Sequence, residues 1–284
     1  MNHVQDNAEE CIRNAIVNLK EGKYEYELDN GEYIRVRITI DKIKREATID
    51  FSGTAPKNPF NYNAPMAVCH AVILYVFRTL VGNNIPLNEG CFKPLNIIIP
   101  NNSMINAKYP SAVIAGNTEV SQLTCNALFG ALGVIAGSQA TMNNFIWGND
   151  KIQNYETICG GTGAGPNFHG TSAVQTHMTN TRSTDPEILE ARFPVRLEEY
   201  SIRKNSGGKG MFNGGDGVTR KLRFLEPMTV TTLCSHRKVQ PFGLNGGEPG
   251  QCGKEWLEKK DGKFIRLEGN DSCEVKVNDL FVME

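Results

Sequence analysis

The chain has 284 residues and a formal net charge of −1 at pH 7, because 30 Lys and Arg residues nearly balance 31 Asp and Glu residues. This length suffices for about two domains, or for one large domain with a substantial core. The basic residues are not clustered, so the surface potential that nucleic-acid binding requires is missing, and we exclude nucleic acid as a partner.

The amino-terminal residues predict an amphipathic helix that ends at Gly22, and they lack the basic start and apolar core of a signal peptide. The most apolar stretch, residues 66–81, is interrupted by His70 and Arg78. It is also shorter than the roughly 20 residues that cross a bilayer. We therefore expect a cytoplasmic protein without a membrane partner.

Two alternating segments, residues 33–40 and 46–51, predict a half-buried β-hairpin. Residues 64–81 are apolar almost all round and predict a buried helix, in which His70 is expected to be a hydrogen-bonded core residue and not a ligand. A second helix is predicted over residues 119–136, with an apolar stripe on one face and with Asn117 or Thr118 as its cap.

Glycine dominates residues 159–166, CGGTGAGP. Such a backbone can adopt positive φ and approach a ligand closely, which leaves successive amides free to hold an anion. A Walker A loop that begins at Gly160 would need Lys where Pro166 stands, and a dinucleotide fingerprint that begins at Gly161 would need Gly there. ATP and NAD are therefore not expected at this loop. A plain glycine-rich turn between two strands is an equal alternative.

A polar stretch follows the glycines. Residues 172–177 alternate like a strand that ends at His177, and residues 178–182 are polar. Thr184 is predicted to cap the helix that follows, with Pro186 in its first turn. A strand end, a polar loop and the positive end of a helix together predict one wall of a pocket.

Beyond residue 196 the pattern changes to short alternating segments separated by Gly and Asn turns, which predicts an all-β subdomain. Its strands are expected at residues 218–225, 229–235, 255–259, 263–267 and 273–277. The sequence thus predicts an α+β fold in two parts. Residues 1–196 contain helices, strands and the glycine loop, and residues 197–284 form the β-rich subdomain.

Eight cysteines form no CxxC or other ligand pair, so reduced thiols are expected, several of them buried. Cys159 adjoins the glycine loop and is the one candidate nucleophile, with His177 as a possible base. His169 and His177 have no HxH, HxxE or HxxxD companion, so a closed metal site within this chain is not expected. A metal site shared with residues outside the chain is left open.

Eight motifs, in order along the chain, resemble the hydantoinase B/5-oxoprolinase family. They are IDFSGTAP (49–56), IPLNEGC (85–91), AGNTEVSQ (115–122), SQATMNNF (138–145), YETICGGTGAGP (155–166), THMTNTRSTDPEILEARFPV (176–195), SGGKGMFNGGDGVTRKLRFLEP (206–227) and PFGLNGGEPG (241–250). The resemblance extends from about residue 10 to the end of the chain, and the number of ordered motifs makes it specific.

The resemblance implies the C-terminal half of a B subunit of an ATP-dependent amidohydrolase that opens a small cyclic amide, 5-oxoproline or hydantoin. ATP is expected on a hydantoinase A or oxoprolinase A-type partner subunit, and a divalent metal is possible through the missing N-terminal half. The isolated chain is expected to be inactive. Two alternative functions are left open: an alpha-type subunit of a ketone carboxylase, and an incomplete non-catalytic module that docks on a partner subunit. Assembly into a homo-oligomer is left open as well.

Hydrolysis of an amide that phosphorylation activates needs an anion cradle, donors for the phosphate and a general base. The candidate catalytic residues are His177, Glu119, Asn180 and Asp185, and the candidate substrate-binding residues are Gly161, Gly163, Gly165, Thr181, Arg182, Asn88 and Asn143. Structural alternatives are open for three of them. The dipole of a helix explains Glu119 better than a catalytic role does, and turn formation is the alternative for Asn88 and Asn143.

Overall fold

A computed structural model describes residues 2–82 and 84–284. The chain folds into two compact units, one up to Ile135 and one from Ala136 to Glu284. The mixture of helices and sheets confirms the predicted α+β class. The predicted division at 196/197 differs from the observed one because it falls inside a strand, Val195–Arg203, that pairs with the strand Gly217–Phe224. This pairing unites the β-rich segment with the glycine loop in one unit.

The first unit contains helices α1 (Asn2–Ile16), α2 (Met66–Thr79) and α3 (Ser121–Leu132) and strands β1 (Gly22–Glu27), β2 (Tyr33–Asp41), β3 (Glu46–Asp50) and β4 (Leu95–Ile98). Its sheet has the order β1-β2-β3-β4, in which only β3 and β4 are parallel. The predicted hairpin is confirmed as β2 and β3. Oδ1 of Asp41 fixes the turn, since it accepts hydrogen bonds from the amides of Ile43 and Lys44 at 3.0 and 2.9 Å.

Helices α1 and α2 depart from prediction in detail. Helix α1 ends at Ile16, and Gly22 begins β1 instead of closing the helix. Helix α2 buries only one side, which carries Cys69, Val72, Ile73, Val76 and Phe77. His70 is half-buried, and its ring lies 5.9 Å from the ring of Phe92. Among residues 2–82 and 84–284, no helix is long and apolar enough to cross a membrane.

Helix α3 is buried along nearly its whole length. It begins after a π-helical turn, Gly116–Val120, and its N-terminus has no side-chain cap, so neither Asn117 nor Thr118 has the predicted role. The helix also ends earlier than predicted, because Gly133 adopts a left-handed conformation with φ 64°. Glycine reaches this conformation without the steric penalty of a Cβ, and it commonly terminates helices.

The second unit contains β5 (Asn144–Gly148), β6 (Gln153–Thr157), β7 (Val195–Arg203), β8 (Gly217–Phe224), β9 (Met228–Leu233), β10 (Glu255–Glu258), β11 (Phe264–Leu267), β12 (Asn270–Val275), β13 (Leu280–Met283) and one helix, α4 (Pro186–Arg192). Two antiparallel sheets have the orders β11-β10-β13-β8-β7 and β12-β9-β5-β6. The five strands predicted in this part of the sequence are confirmed as β8 to β12.

Aromatic side chains from both sheets form the centre of this unit. Phe145 stacks on Phe281 with ring centroids 5.1 Å apart, and the buried Trp147 contacts Phe193 and Phe224 edge-on. Such pairs add about 0.5–1.5 kcal/mol each beyond the area they bury. The packed core fixes the end of β6 and the start of β7, between which the glycine loop and the polar stretch lie.

Residues 172–177, predicted as a strand, do not form one. Val174 makes a single β-bridge with Gly160. Ala173 and His177 have positive φ values of 54° and 47°, which an extended strand does not accommodate. The segment is therefore an irregular loop, and His177 lies in a turn and not at a strand end.

Candidate functional site

The glycine loop, residues 159–166, is held by main-chain hydrogen bonds. The amide of Gly160 donates to the carbonyl of Val174 at 3.3 Å, and the amide of Thr162 donates to the carbonyl of Thr171 at 3.0 Å. None of the loop glycines has the positive φ that was predicted. Conformational freedom is therefore not the reason for glycine at these positions.

Close packing of main chain against main chain explains the glycines better. A Cβ on Gly161 would overlap the carbonyl of Gly215, and a Cβ on Gly163 would overlap the carbonyl of Ala136. A Cβ on Gly165 would overlap the ring of Phe168. Because no side chain fits, neighbouring segments approach the loop directly, and one wall of a cavity is built from main chain.

This cavity, which we call the glycine cavity, has a volume of about 520 Å³ and lies entirely within the second unit. Segments within residues 136–143, 158–167, 203–218 and 236–253 supply most of its lining. Four of the candidate residues line it, namely Gly161, Gly163, Gly165 and Asn143. The prediction that the glycine loop adjoins a ligand-sized space is thus consistent with the geometry, although the roles of these residues stay predictions.

Asn143 has both polar groups of its side chain engaged by the protein. Its Nδ2 donates to the carbonyl of Ile158 at 3.0 Å, and its Oδ1 accepts from Nη1 of Arg237 at 2.8 Å. Arg237 also pairs with the fully buried Glu255. Asn143 has a φ of 45°, a conformation that Asn tolerates better than most residues. The structural alternative therefore accounts for Asn143 without a ligand.

His177 is connected to the glycine cavity through Ser138, a residue that the sequence analysis did not single out. Nε2 of His177 lies 2.9 Å from Oγ of Ser138, and Ser138 lines the cavity whereas His177 does not. Burial lowers the pKa of His177 to about 4, so the ring is neutral at pH 7. In the tautomer that carries its proton on Nδ1, Nε2 accepts the hydrogen bond that the Ser138 hydroxyl donates.

Main-chain bonds to the glycine loop position Ser138. The amide of Gln139 donates to the carbonyl of Gly161 at 3.1 Å, and the amide of Ala136 donates to the carbonyl of Ala164 at 2.8 Å. The motif SQATMNNF, which begins at Ser138, was one of the family motifs and was the only signal in the sequence for this residue. Its relation to His177, 39 positions away, depends on the folded path of both loops.

Thr181 and Arg182 lie at a second cavity of about 410 Å³, which we call the arginine cavity. Its lining consists of Cys159, Ala173, Gln175, Thr181, Arg182, Ser183, Tyr200, Ser201, Ile202 and Val218. Thr181 and Arg182 do not line the glycine cavity. The predicted single pocket wall is therefore divided between two cavities, because the segment that follows His177 turns towards β7.

Cys159 lines both cavities. Its Sγ lies 3.3 Å from the hydroxyl of Tyr200, which also lies 3.0 Å from Oγ of Ser183. Burial raises the pKa of Tyr200 to about 12, so the phenol stays protonated at pH 7. The hydrogen-bonding partner of Cys159 is thus a neutral phenol, whereas the Nε2 of His177 is bound to Ser138.

Asn180 and Asp185 line neither of the two cavities and are exposed. Asp185, and not Thr184, is the N-cap of α4: its Oδ1 accepts from the amide of Glu187 at 3.2 Å. Pro186 occupies the first turn as predicted, and the helix ends before Pro194. A capping carboxylate satisfies an otherwise unpaired amide, which gives Asp185 a structural reason to be present.

Glu119 and Asn88 belong to the first unit. Glu119 lies in the π-helical turn before α3 and is fully buried. Asn88 begins the short helical turn Glu89–Phe92: its Oδ1 accepts from the amide of Gly90 at 2.9 Å, and its Nδ2 donates to the carbonyl of Pro86 at 3.0 Å. Turn formation therefore explains Asn88.

No group of three or more His, Cys, Asp or Glu side chains lies close enough to hold a metal ion within the described ranges, 2–82 and 84–284. Among the residues that the structure describes, a metal site built from three such side chains is thus absent. The expectation of a metal bound through residues outside the chain stays a prediction.

Two solved structures share this fold. The ATP-dependent caprolactamase from Pseudomonas jessenii matches with a TM-score of 0.81 and 20% identity, over 98% of this chain and 53% of that one. An acetone carboxylase in its nucleotide-free form matches with a TM-score of 0.83 and 16% identity, over 97% of this chain and 46% of that one. At such identities the comparison concerns the fold alone.

Sequence comparison gives the family. The 5-oxoprolinase from Dictyostelium discoideum is 40% identical over 100% of this chain, which spans 23% of the length of that relative. The model of the family described as Hydantoinase B/oxoprolinase matches residues 1–284. Both findings confirm the resemblance carried by the ordered motifs, and the chain belongs to the hydantoinase B/oxoprolinase family.

Proposed function

We propose that this chain is the C-terminal part of the B portion of an ATP-dependent cyclic-amide hydrolase of the N-methylhydantoinase B or 5-oxoprolinase type. The observation that carries the proposal is the glycine cavity with the Ser138–His177 hydrogen bond at its wall. Family membership supports the reaction class, and the name of the Dictyostelium discoideum relative supports 5-oxoproline as the substrate. A cavity of about 520 Å³ is within the range for small-molecule sites.

In this proposal ATP binds to a hydantoinase A or oxoprolinase A-type partner or portion and supplies the activation of the ring amide. ATP would transfer its γ-phosphoryl group to the oxygen of the ring amide and leave as ADP. Water would then add to the activated ring carbon, the carbon–nitrogen bond would break with the nitrogen taking up a proton, and phosphate would leave, which gives an open-chain amino acid. The glycine cavity accepts the ring. Ser138, whose one proton is donated to His177, orients the attacking water by accepting a hydrogen bond from it, which requires a fixed hydroxyl direction.

His177 supplies that fixed direction. A ring with a pKa of about 4 is neutral over the physiological range and accepts a hydrogen bond from Ser138 throughout it. A base with so low a pKa is a weak proton acceptor at pH 7. We therefore assign His177 the role of a positioning residue that acts through Ser138. The catalytic roles of Glu119, Asn180 and Asp185 stay predictions.

The test is a chimera of the Dictyostelium discoideum 5-oxoprolinase in which this chain replaces the matching region. We expect ATP-dependent release of glutamate from 5-oxoproline by the chimera, and none by the chain alone. Assays of hydantoin opening and of acetone carboxylation with bicarbonate run in parallel, because the fold is shared with an acetone carboxylase. A folded chimera that carboxylates acetone and leaves 5-oxoproline intact would contradict the proposal.

A further inference from the structure

The charge in the lining of the arginine cavity is positive only. Of the residues that line it, Arg182 is the only one with a charged side chain, and no carboxylate is among them. The glycine cavity differs, since its lining includes Arg203 and Lys209 but also Glu248 and Glu284. A small cavity whose only charge is positive attracts an anion.

Arg182 has no ion pair or hydrogen bond with any group in residues 2–82 and 84–284. Most other arginines of the second unit pair with a carboxylate within 4.0 Å, namely Arg196, Arg203, Arg220, Arg223 and Arg237. A guanidinium that is not committed to an internal partner keeps its fork of donors available for a carboxylate.

Hydroxyl groups add a second anchor. The thiol of Cys159, the phenol of Tyr200 and the hydroxyl of Ser183 form two contacts in series, at 3.3 and 3.0 Å. Each of the three groups carries one proton, and each contact uses one, so one proton is left to donate to a ligand. The raised pKa of Tyr200 keeps the phenol in its donating form at pH 7.

Part of the remaining lining is aliphatic, whereas Gln175, Thr181 and Ser201 are polar. Ala173, Ile202 and Val218 contribute apolar surface to the arginine cavity. A ligand that suits this combination has one carboxylate for Arg182 and a short hydrocarbon body for the apolar wall. Inorganic phosphate offers no such body and would leave the apolar surface in contact with water.

We propose that the arginine cavity binds a small aliphatic carboxylate, with Arg182 as its charge partner and the chain of Cys159, Tyr200 and Ser183 as a hydrogen-bond donor. This inference does not rest on the proposed function, because it concerns equilibrium binding to the chain itself without ATP, partner or turnover.

The experiment is a calorimetric titration of the full chain with three probes: 5-oxoproline, glutamate and 2-pyrrolidinone, which is the same ring as 5-oxoproline without the carboxylate. We expect saturable binding of at least one of the two carboxylates and at least about tenfold weaker binding of 2-pyrrolidinone, because 2-pyrrolidinone lacks the charged group that Arg182 would bind. The comparison of 5-oxoproline with glutamate separates a ring ligand from an open-chain one.

Three variants assign the binding to this cavity. Arg182→Gln should weaken carboxylate binding at least about tenfold and leave 2-pyrrolidinone unchanged. Ile202→Trp, which adds bulk at the wall of the arginine cavity only, should weaken it as well without a change in charge. Arg266→Gln removes an exposed arginine that lines neither cavity and should have no effect. Absence of saturable carboxylate binding, or equal affinity in the Arg182→Gln variant, would overturn the proposal.

Discussion

Arg220 donates from a single nitrogen, Nη2, to both carboxylate oxygens of Glu156, at 2.9 Å each, in the interior of the second unit. The two side chains are 1% and 4% exposed. Burial raises the pKa of Glu156, and the charge and hydrogen bonds of Arg220 oppose that rise. The guanidinium also lies 4.9 Å from the ring centroid of Tyr200, so this ion pair contacts a residue that lines the arginine cavity.

Removal of one partner of this pair should destabilise the protein strongly. We expect Glu156→Gln to lower the free energy of unfolding by about 3–5 kcal/mol, since an unpaired charge remains in the interior. Glu156→Gln combined with Arg220→Met should cost less than Glu156→Gln alone. Urea denaturation measures both, with Glu268→Gln of the exposed Lys238–Glu268 pair as a control that changes stability by less than about 1 kcal/mol. Equal effects of Glu156→Gln and Glu268→Gln would refute this expectation.

The glycine loop gives a second stability prediction. Gly163→Ala should destabilise the protein by about 1–3 kcal/mol, because the added methyl group meets the carbonyl of Ala136 and the two segments must separate. Gly82→Ala is the matched control: no atom lies within 4 Å of a Cβ there and the φ is not positive, so the change should be near neutral. Thermal unfolding of both variants decides between main-chain packing and a merely flexible loop.

The low pKa of His177 predicts a pH dependence. The folded state has a pKa of about 4 at this ring, whereas the unfolded chain has the ordinary value of about 6.5. Between these values the unfolded state binds a proton that the folded state does not, so the free energy of unfolding should fall as the pH is lowered from about 6.5 towards 4. His177→Gln should flatten the profile in this range, and His3→Gln, at an exposed position, should not. Parallel profiles of wild type and His177→Gln would show that another group is responsible.

The sequence predicted those parts of the fold that residues close to one another in the chain determine. The hairpin of β2 and β3 was predictable because Asp41 and alternating apolar residues specify it within a few positions. Pro186 likewise marked the start of α4. The family motifs identified the glycine loop, but its glycines are explained by segments far away in sequence, such as the contact of Gly161 with Gly215.

The candidate site was less predictable for the same reason. Ser138 and His177 are separated by 39 positions, and Glu156 and Arg220 by 64, so neither relation leaves a periodic signal. The polar stretch after His177 was predicted to form one pocket wall with the glycine loop. The chain instead turns at Ala173 and His177, which have positive φ, and Arg182 lines the arginine cavity. Single-sequence patterns carry no information on such turns when the residues are not glycine.

The final prediction concerns catalysis in the chimeric enzyme. If His177 acts through Ser138, then His177→Ala and Ser138→Ala should each lower turnover of 5-oxoproline at least roughly a hundredfold, since a misplacement of about 1 Å at a reacting centre can cost about that much. The double variant should be no worse than either single variant, because residues that act as one unit are not additive. A purely structural role would instead give losses that follow stability, so each variant is assayed well below its unfolding temperature, with His3→Ala as the control. Full activity of His177→Ala, or additive losses in the double variant, would remove the Ser138–His177 pair from the mechanism and leave the glycine loop as scaffold.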